Sequence, residues 1–271
     1  MDTKALHYAA QLIAQADALI VAAGAGMSVD SGLPDFRGSR GLWTTLLPEG
    51  MHERDLHAWT QGRCFEADPT EAWRFYSEAL RVCESTEPHA GHAMLLDWAS
   101  RKPHGAFVYT SNVDGHFEDA GFAPGRIVEC HGSIRHFQCA RPCSPDIWPA
   151  APAGAQSKKA QTLPRCRRCG ALARPNFLLF SDPAWVVART NAQRLRMETW
   201  RAGPRNPVVI EVGAGLALPG VRMFAQSLRL PLVRINTDPA ELFGTATVAL
   251  QGKALDVLQD IDTELAERYT R

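Results

Sequence analysis

Four of the seven cysteines fall into two close pairs, Cys139 with Cys143 and Cys166 with Cys169, and 22 residues separate the pairs. Two thiolate pairs on tight turns can complete a tetrahedral zinc site, with Zn–S near ~2.3 Å and no position left open for water. The spacing therefore predicts a structural zinc that ties two loops together and leaves catalysis elsewhere; the alternative is four unligated thiols. An odd cysteine count with this pairing suits a metal site in a reducing compartment better than a disulfide framework. Cys64, Cys83 and Cys130 are left over and read as small buried core residues.

A second group of candidates surrounds Gly24-Ala25-Gly26-Met27-Ser28, which directly follows an apolar run. Glycines at a strand-to-helix turn let the backbone approach a pyrophosphate, whose charge is met by N–H groups at the helix start. A tight turn without ligand explains them equally well. The usual dinucleotide fingerprint is incomplete, because its third glycine place is Val29 and no acidic residue stands about 20 positions on. His131 is either a satisfied structural histidine near a strand end or a general base, since an imidazole with a pKa near ~6.5 can accept a hydroxyl proton at neutral pH. Asn112 and Asp114 follow a strand and can form an Asx turn. Pro34-Asp35 can start a helix.

Helical and strand patterns alternate along the chain, as in a parallel sheet covered by helices. Leu6, Ala10 and Ile13 have helical spacing, and residues 18–23 form a short buried-strand run ending at Gly24. Further strands are expected at 106–110, 126–130, 177–180, 208–212, 232–236 and 247–250, all in one sheet, with helices at about 90–100, between most of the later strands and at the end. Two stretches break the alternation. Residues 38–87 read as helices and loops, and residues 134–174 hold the four cysteines and a Pro/Ala-rich loop at 148–164. Together these two insertions are expected to form a smaller domain beside a sheet domain of residues 1–37, 88–133 and 175–271. The 271 residues, 45% of them hydrophobic, can bury a sizeable core. Lys plus Arg (29) balances Asp plus Glu (29), so charge steers the chain toward neither nucleic acid nor acidic lipid. The later apolar runs are too short to cross a bilayer and the N-terminus lacks a targeting pattern, so a cytoplasmic protein is expected.

The run Gly24-Ala25-Gly26-Met27-Ser28, Ser31-Gly32-Leu33-Pro34-Asp35-Phe36-Arg37-Gly38 and Gly41-Leu42-Trp43 closely resembles the sirtuin signature. The family's other blocks follow in order: Pro88-His89 with His92, Thr110-Ser111-Asn112-Val113-Asp114 with Ala120-Gly121, Glu129-Cys130-His131-Gly132-Ser133, the cysteine pairs, Arg174-Pro175 with Phe180, Gly213 with Pro219, Ile235-Asn236, and Gly252 with Ala254 and Leu258. The resemblance spans almost the whole chain. It implies a Rossmann-like NAD-binding domain with helices on both faces, a zinc module built from the insertions, and NAD-dependent removal of acyl groups, most plausibly acetyl, from a protein or peptide lysine. Nicotinamide and O-acyl-ADP-ribose would be the products. By the family's mechanism the acyl oxygen attacks the anomeric carbon as nicotinamide leaves, and His131 then activates a ribose hydroxyl that takes over the acyl group. Asn112 and Asp114 are implied to position the nicotinamide ribose, with Asp35, Phe36 and Arg37 on a loop over the cofactor and Phe36 as its lid. Gly24, Ala25, Gly26, Trp43, Ser111, Gly213, Ala214, Gly215, Asn236, Asp238 and Ala254 complete the implied cofactor contacts. NAD is expected over NADP, because no basic cluster beside Gly213 or Asn236 would receive a 2′-phosphate.

Some positions depart from the family pattern. Ser111 replaces the usual glutamine, Ala214-Gly215 replace a small-hydroxyl pair, and Phe180-Ser181-Asp182 stand where the family has phenylalanine, glycine and an acid. These changes leave open ADP-ribosyl transfer, plain NAD hydrolysis, or an NAD-sensing module of weak activity. Tyr76 matches the subgroup that removes acidic acyl groups, but the arginine place three residues later is Ala79. Arg81 on the same predicted helix is the candidate substitute.

Overall fold

In the computed structural model, residues 2–33, 56–150, 163–238 and 246–269 are described. Asp2 caps the first helix, α1 (Thr3–Gln15), its side chain accepting from the Lys4 N–H at 2.9 Å. The helix leads to β1 (Ala18–Ala23), a strand buried at every position. A continuous apolar run of this kind suits the centre of a parallel sheet with both faces covered. Then come α2 (Gly26–Val29), α3 (Leu56–Trp59), α4 (Cys64–Ala67), α5 (Pro69–Ser85), α6 (Ala90–Ser100), β2 (Ala106–Thr110), α7 (His116–Asp119) and β3 (Ile127–Glu129). They are followed by β4 (Gly132–Cys139), β5 (Ile147–Pro149), β6 (Ala173–Phe177), α8 (Ala188–Arg201), β7 (Pro207–Val212), α9 (Gly220–Ser227), β8 (Leu232–Asn236), β9 (Val248–Gln251) and α10 (Ala254–Tyr269).

Six strands form one parallel sheet in the order β3-β2-β1-β7-β8-β9. Alternate residues face opposite sides, as the strand period requires. Leu19, Val21 and Ala23 join Val208, Ile210 and Val212 in a core covered by α1, α6 and α10. Ile20 and Ala22 join Phe107 and Val209 in a second core covered by α8 and α9. The sheet is therefore Rossmann-like, with helices on both faces. Its strand order reverses between β1 and β7, and such a reversal opens a crevice beyond the carboxyl ends of the strands. Among the described residues no helix is long and apolar enough to cross a membrane.

A third core lies under α5. Asp68 caps that helix by accepting from the Glu71 N–H at 3.1 Å, and Pro69 occupies the first turn, where a missing N–H costs nothing. Ala72, Trp73, Tyr76, Ala79, Leu80 and Cys83 make its buried stripe. Trp73 packs edge-on against Phe137 at 5.1 Å and Tyr76 against Phe177 at 5.4 Å between ring centroids. Phe137 and Phe177 belong to a separate antiparallel sheet, β5-β4-β6.

The strand expected at 177–180 in the parallel sheet is thus corrected: Phe177 ends β6 of the small sheet, and Phe180 makes an isolated parallel bridge to Gln61. Polar burial hid this sheet from a hydrophobic pattern. Gln138 on β4 and Asn176 on β6 are fully buried and bonded to each other at 2.8 Å. Gln138 also holds the Ala184 carbonyl at 2.7 Å and the Val186 N–H at 2.8 Å. The expected loop at 148–164 begins inside β5, and residues 151–162 lie outside the described residues.

Candidate active site and metal centre

At the strand-order reversal the ends of β1 and β7 meet through glycines. A Cβ on Gly24 would lie 2.5 Å from the Gly213 oxygen, and one on Gly26 would lie 2.7 Å from the Gly213 Cα. Gly213 itself has φ +60° and a would-be Cβ 2.5 Å from Gly26 atoms, so side chains are excluded on both sides. Much of the glycine requirement therefore comes from strand ends packed against each other. The N–H groups of Gly24, Gly26, Met27 and Ser28 donate to the carbonyls of Val212, Gly213, Gly24 and Ala25 at 3.0–3.1 Å. A ligand at this turn meets amides that already serve the turn, together with the side chains around it.

Those side chains form a buried polar cluster. The Ser28 hydroxyl donates to Asp114 Oδ2 at 2.6 Å and accepts from Asn112 Nδ2 at 2.9 Å. All three residues are at most 3% exposed. Asp114 Oδ1 accepts the His116 N–H at 3.0 Å, so the expected Asx turn is present and its second oxygen serves the cluster. Thr110 locks the strand exit, its hydroxyl donating to Ala23 O and accepting the Asn112 N–H, both at 3.0 Å. The Ser111 N–H also donates to Ala23 O, at 3.1 Å. Ends of β1 and β2 are thereby fixed to one another at the point where Asn112 leaves the sheet.

Three buried histidines back this cluster. His89 accepts the Gly91 N–H on Nδ1 at 3.0 Å, which puts its proton on Nε2, 2.7 Å from Met27 O. Burial lowers its pKa. The His92 ring packs against those of His89 and His116, and burial followed by these two neighbours pushes its pKa down to about 3. Burial thus favours neutral His89 and His92 rings, and His89 braces α2 through the Met27 carbonyl.

His131 stands on the crossing from the parallel sheet to the small one. Thr110 and Glu129 are register partners on β2 and β3, so Asn112 and His131 each lie two residues beyond a paired position at the same end of the sheet. The His131 carbonyl accepts the Leu178 N–H at 2.8 Å, and the next residue, Gly132, has φ +79° with a would-be Cβ 2.2 Å from Asn176 O. Only glycine passes that point. Glu129 is buried and ion-paired with Arg189; desolvation nevertheless raises its pKa.

The four thiols predicted from spacing converge: their sulfur atoms all lie within 4.8 Å of one another. Cys139 Sγ is 3.7 Å from Cys169 Sγ, and Cys143 Sγ is 3.7 Å from Cys166 Sγ. A tetrahedron with Zn–S of ~2.3 Å has edges of ~3.8 Å, so the set fits zinc. The Cys169 backbone N–H is the main cause that draws the Cys166 thiol down to about 7, and Gly170 at φ +73° lets the chain turn to supply that amide.

Other predicted residues fall in different places. Asn236 Nδ2 donates to Ala214 O at 3.2 Å, and the Asp238 N–H donates to Asn236 Oδ1 at 3.2 Å, while Gly215 is exposed. The Ala254 side chain packs in the core at the start of α10, and Asp30 accepts the neighbouring Leu255 N–H at 2.9 Å. Asp35, Phe36, Arg37 and Trp43 lie outside the described residues. Arg81 does not replace the missing arginine: it sits on the solvent side of α5, paired with Glu78 at 2.8 Å, whereas the Tyr76 hydroxyl is committed to Trp59 O at 2.7 Å. Arg234, near Asn236, is fully buried in a two-bond pair with Glu211 at 2.5 and 3.0 Å. Ser28, Thr110 and Glu129 lie within the family-like runs but outside the expected site residues; a hydroxyl in the first turn after the glycines is the sequence signal for Ser28.

Comparison with known proteins gives the same picture. The Sir2 family model matches residues 24–199. NAD-dependent protein deacylase 2 of Pyrobaculum aerophilum is 31% identical, over 96% of this chain and 95% of its own length. NAD-dependent protein deacetylase 1 of Geobacillus kaustophilus is 31% identical, over 92% and 93%. A solved complex of a mutant Sir2 homologue with 2′-O-acetyl ADP-ribose superposes with a TM-score of 0.72 at 25% identity, covering 100% of this chain and 99% of that one. Given a matched stretch that carries the glycine turn, Asn112, Asp114, His131 and all four cysteines, the chain belongs to the Sir2 family.

Proposed function

We propose that the protein is an NAD-dependent protein lysine deacylase, with acetyl-lysine as the first substrate to test and with nicotinamide and O-acyl-ADP-ribose as products. The observation that carries this is the alignment of Asn112 and His131 beyond register partners on adjacent parallel strands, beside the buried Ser28–Asn112–Asp114 cluster. NAD supplies a ribose carbon made electrophilic by the departing nicotinamide. Ser28 fixes the orientation of Asn112 and Asp114, so that these two groups hold the nicotinamide ribose in place without rearranging. The imidazole of His131, in its neutral form, accepts a hydroxyl proton as general base. The burial of Glu211 and Arg234 in a mutual pair supports NAD over NADP, because that guanidinium is used inside the fold.

Zinc held by Cys139, Cys143, Cys166 and Cys169 would join the end of β4 to the turn before β6 and take no part in the reaction. Residues 38–87 and 134–174 are best regarded as the smaller domain, with the core under α5 and the thiol cluster as its two centres. Reduced thiols suit a cytoplasmic setting. The acyl peptide is best placed along Leu178–Phe180, where both side chains are exposed next to His131. The test is incubation with NAD and a panel of acyl-lysine peptides, with products resolved by mass. Equal amounts of nicotinamide and O-acyl-ADP-ribose are expected. ADP-ribosylated protein, or free ADP-ribose formed without peptide, would replace the proposal with ADP-ribosyl transfer or NAD hydrolysis.

A further inference from the structure

The strand that delivers His131 is only three residues long and lies at the sheet edge. On its inner side the Cys130 N–H donates to Thr110 O at 2.8 Å. Strand geometry then turns the N–H and C=O of Glu129 outward, where an edge strand has no neighbour. Here α8, 60 residues downstream, replaces that neighbour with side chains. The Glu129 N–H donates to Gln193 Oε1 at 3.1 Å, and the Glu129 carbonyl accepts the Thr190 hydroxyl at 3.0 Å. Gln193 Nε2 also reaches the Glu129 carboxylate at 3.3 Å, and Arg189 pairs with it. Thr190, Gln193 and Glu129 are all at most 5% exposed. Both outward backbone groups and the side chain of one residue are thus held by one helix, two positions before His131.

We infer that Thr190 and Gln193 are positioning residues for His131, acting through Glu129 rather than touching the substrate. On the other side of His131 the Gly132 turn and the Leu178 N–H fix the chain. The His131 backbone is therefore held between two anchors, and release of the first lets the end of β3 fray and shifts the imidazole it carries. A merely structural role for α8 would lower stability without changing the properties of His131.

The inference rests on the deacylase assignment for its kinetic arm and not for its spectroscopic one. Thr190→Val removes the hydroxyl at constant shape, Thr190→Ser restores it, and Gln193→Ala removes the other contact. With NAD and an acetyl-lysine peptide, Thr190→Val and Gln193→Ala are expected to lower kcat about ten- to a hundredfold, the scale of misplacing a catalytic group by about an ångström. KM should stay within about twofold, and Thr190→Ser should recover the wild-type rate. Independently of activity, histidine NMR titration should show a changed His131 pKa in both variants, with faster amide exchange at 129–132. An unchanged His131 titration with unchanged exchange in folded Thr190→Val and Gln193→Ala overturns the inference, whatever the wild-type activity. Wild-type protein that transfers no acyl group overturns the deacylase assignment instead.

Discussion

Replacing Ser28 by alanine removes one oxygen that does two things at once. It deprives Asp114 Oδ2 of a short charge-assisted donor at 2.6 Å and Asn112 Nδ2 of an acceptor at 2.9 Å. Both abandoned groups are on residues no more than 3% exposed, so water does not reach them freely. An unsatisfied buried polar group costs about 1–3 kcal/mol. Asp114 keeps its bond to the His116 N–H, which limits the loss on that side. Two abandoned groups together give a destabilisation of about 2–4 kcal/mol. For a chain of this size that corresponds to a fall in Tm of roughly 4–7 °C.

Urea unfolding and thermal melts of wild type, Ser28→Ala, Asp114→Asn and the double variant measure the loss and the coupling between the two residues. The expected coupling energy exceeds about 1 kcal/mol, because the second substitution removes a partner already lost. A Ser28→Ala protein within about 0.5 kcal/mol of wild type would refute the cluster as a buried, mutually dependent unit.

Three further outcomes follow from single features. Ser181 adopts φ +48°, where the family has glycine, so Ser181→Gly should raise stability by about 1 kcal/mol in urea melts; no gain would mean that the turn carries no strain. Cys166→Ser should abolish binding of about one zinc per chain and lower Tm, as measured by metal analysis and calorimetry, and zinc-free but fully stable wild type would contradict the metal centre. His92 stays neutral in the folded protein down to about 3 but protonates near 6.5 when unfolded, so stability is complete above that range and falls as pH drops through it. The slope is about 1.4 kcal/mol per pH unit. His89, also lowered by burial, acts in the same direction, and equal urea midpoints at pH 7 and pH 5.5 would rule out this linkage.

The parallel sheet could be read from the sequence because its strands are buried on both faces: Ala18–Ala23 and its neighbour Pro207–Val212 are almost wholly apolar. The metal centre was equally legible, since its ligands lie in two short local motifs. The antiparallel sheet was not, because Gln138 and Asn176 are buried polar residues bonded to each other across 38 positions, and the equally buried Arg174 reads as a surface charge. A pattern of hydrophobicity treats such residues as surface. The site divides in the same way. Asn112, Asp114 and His131 stand in recognisable local runs, whereas Ser28 acquires its role from partners 84 and 86 positions away. Thr190 and Gln193 contact Glu129 across more than 60 positions and carry no local signal.

Side-by-side measurement of nicotinamide exchange and O-acyl-ADP-ribose formation in wild type and His131→Ala tests the central claim most directly. On the proposed mechanism His131 acts as general base after the Asn112 and Asp114 cluster has held the cofactor, so the variant should fold and bind NAD nearly as wild type does. Acyl transfer should fall by about 10²- to 10⁴-fold, the range for losing a positioned base, while nicotinamide exchange survives better. Acyl transfer at the wild-type rate in folded His131→Ala would contradict the assignment of the base and, with it, the account of the site.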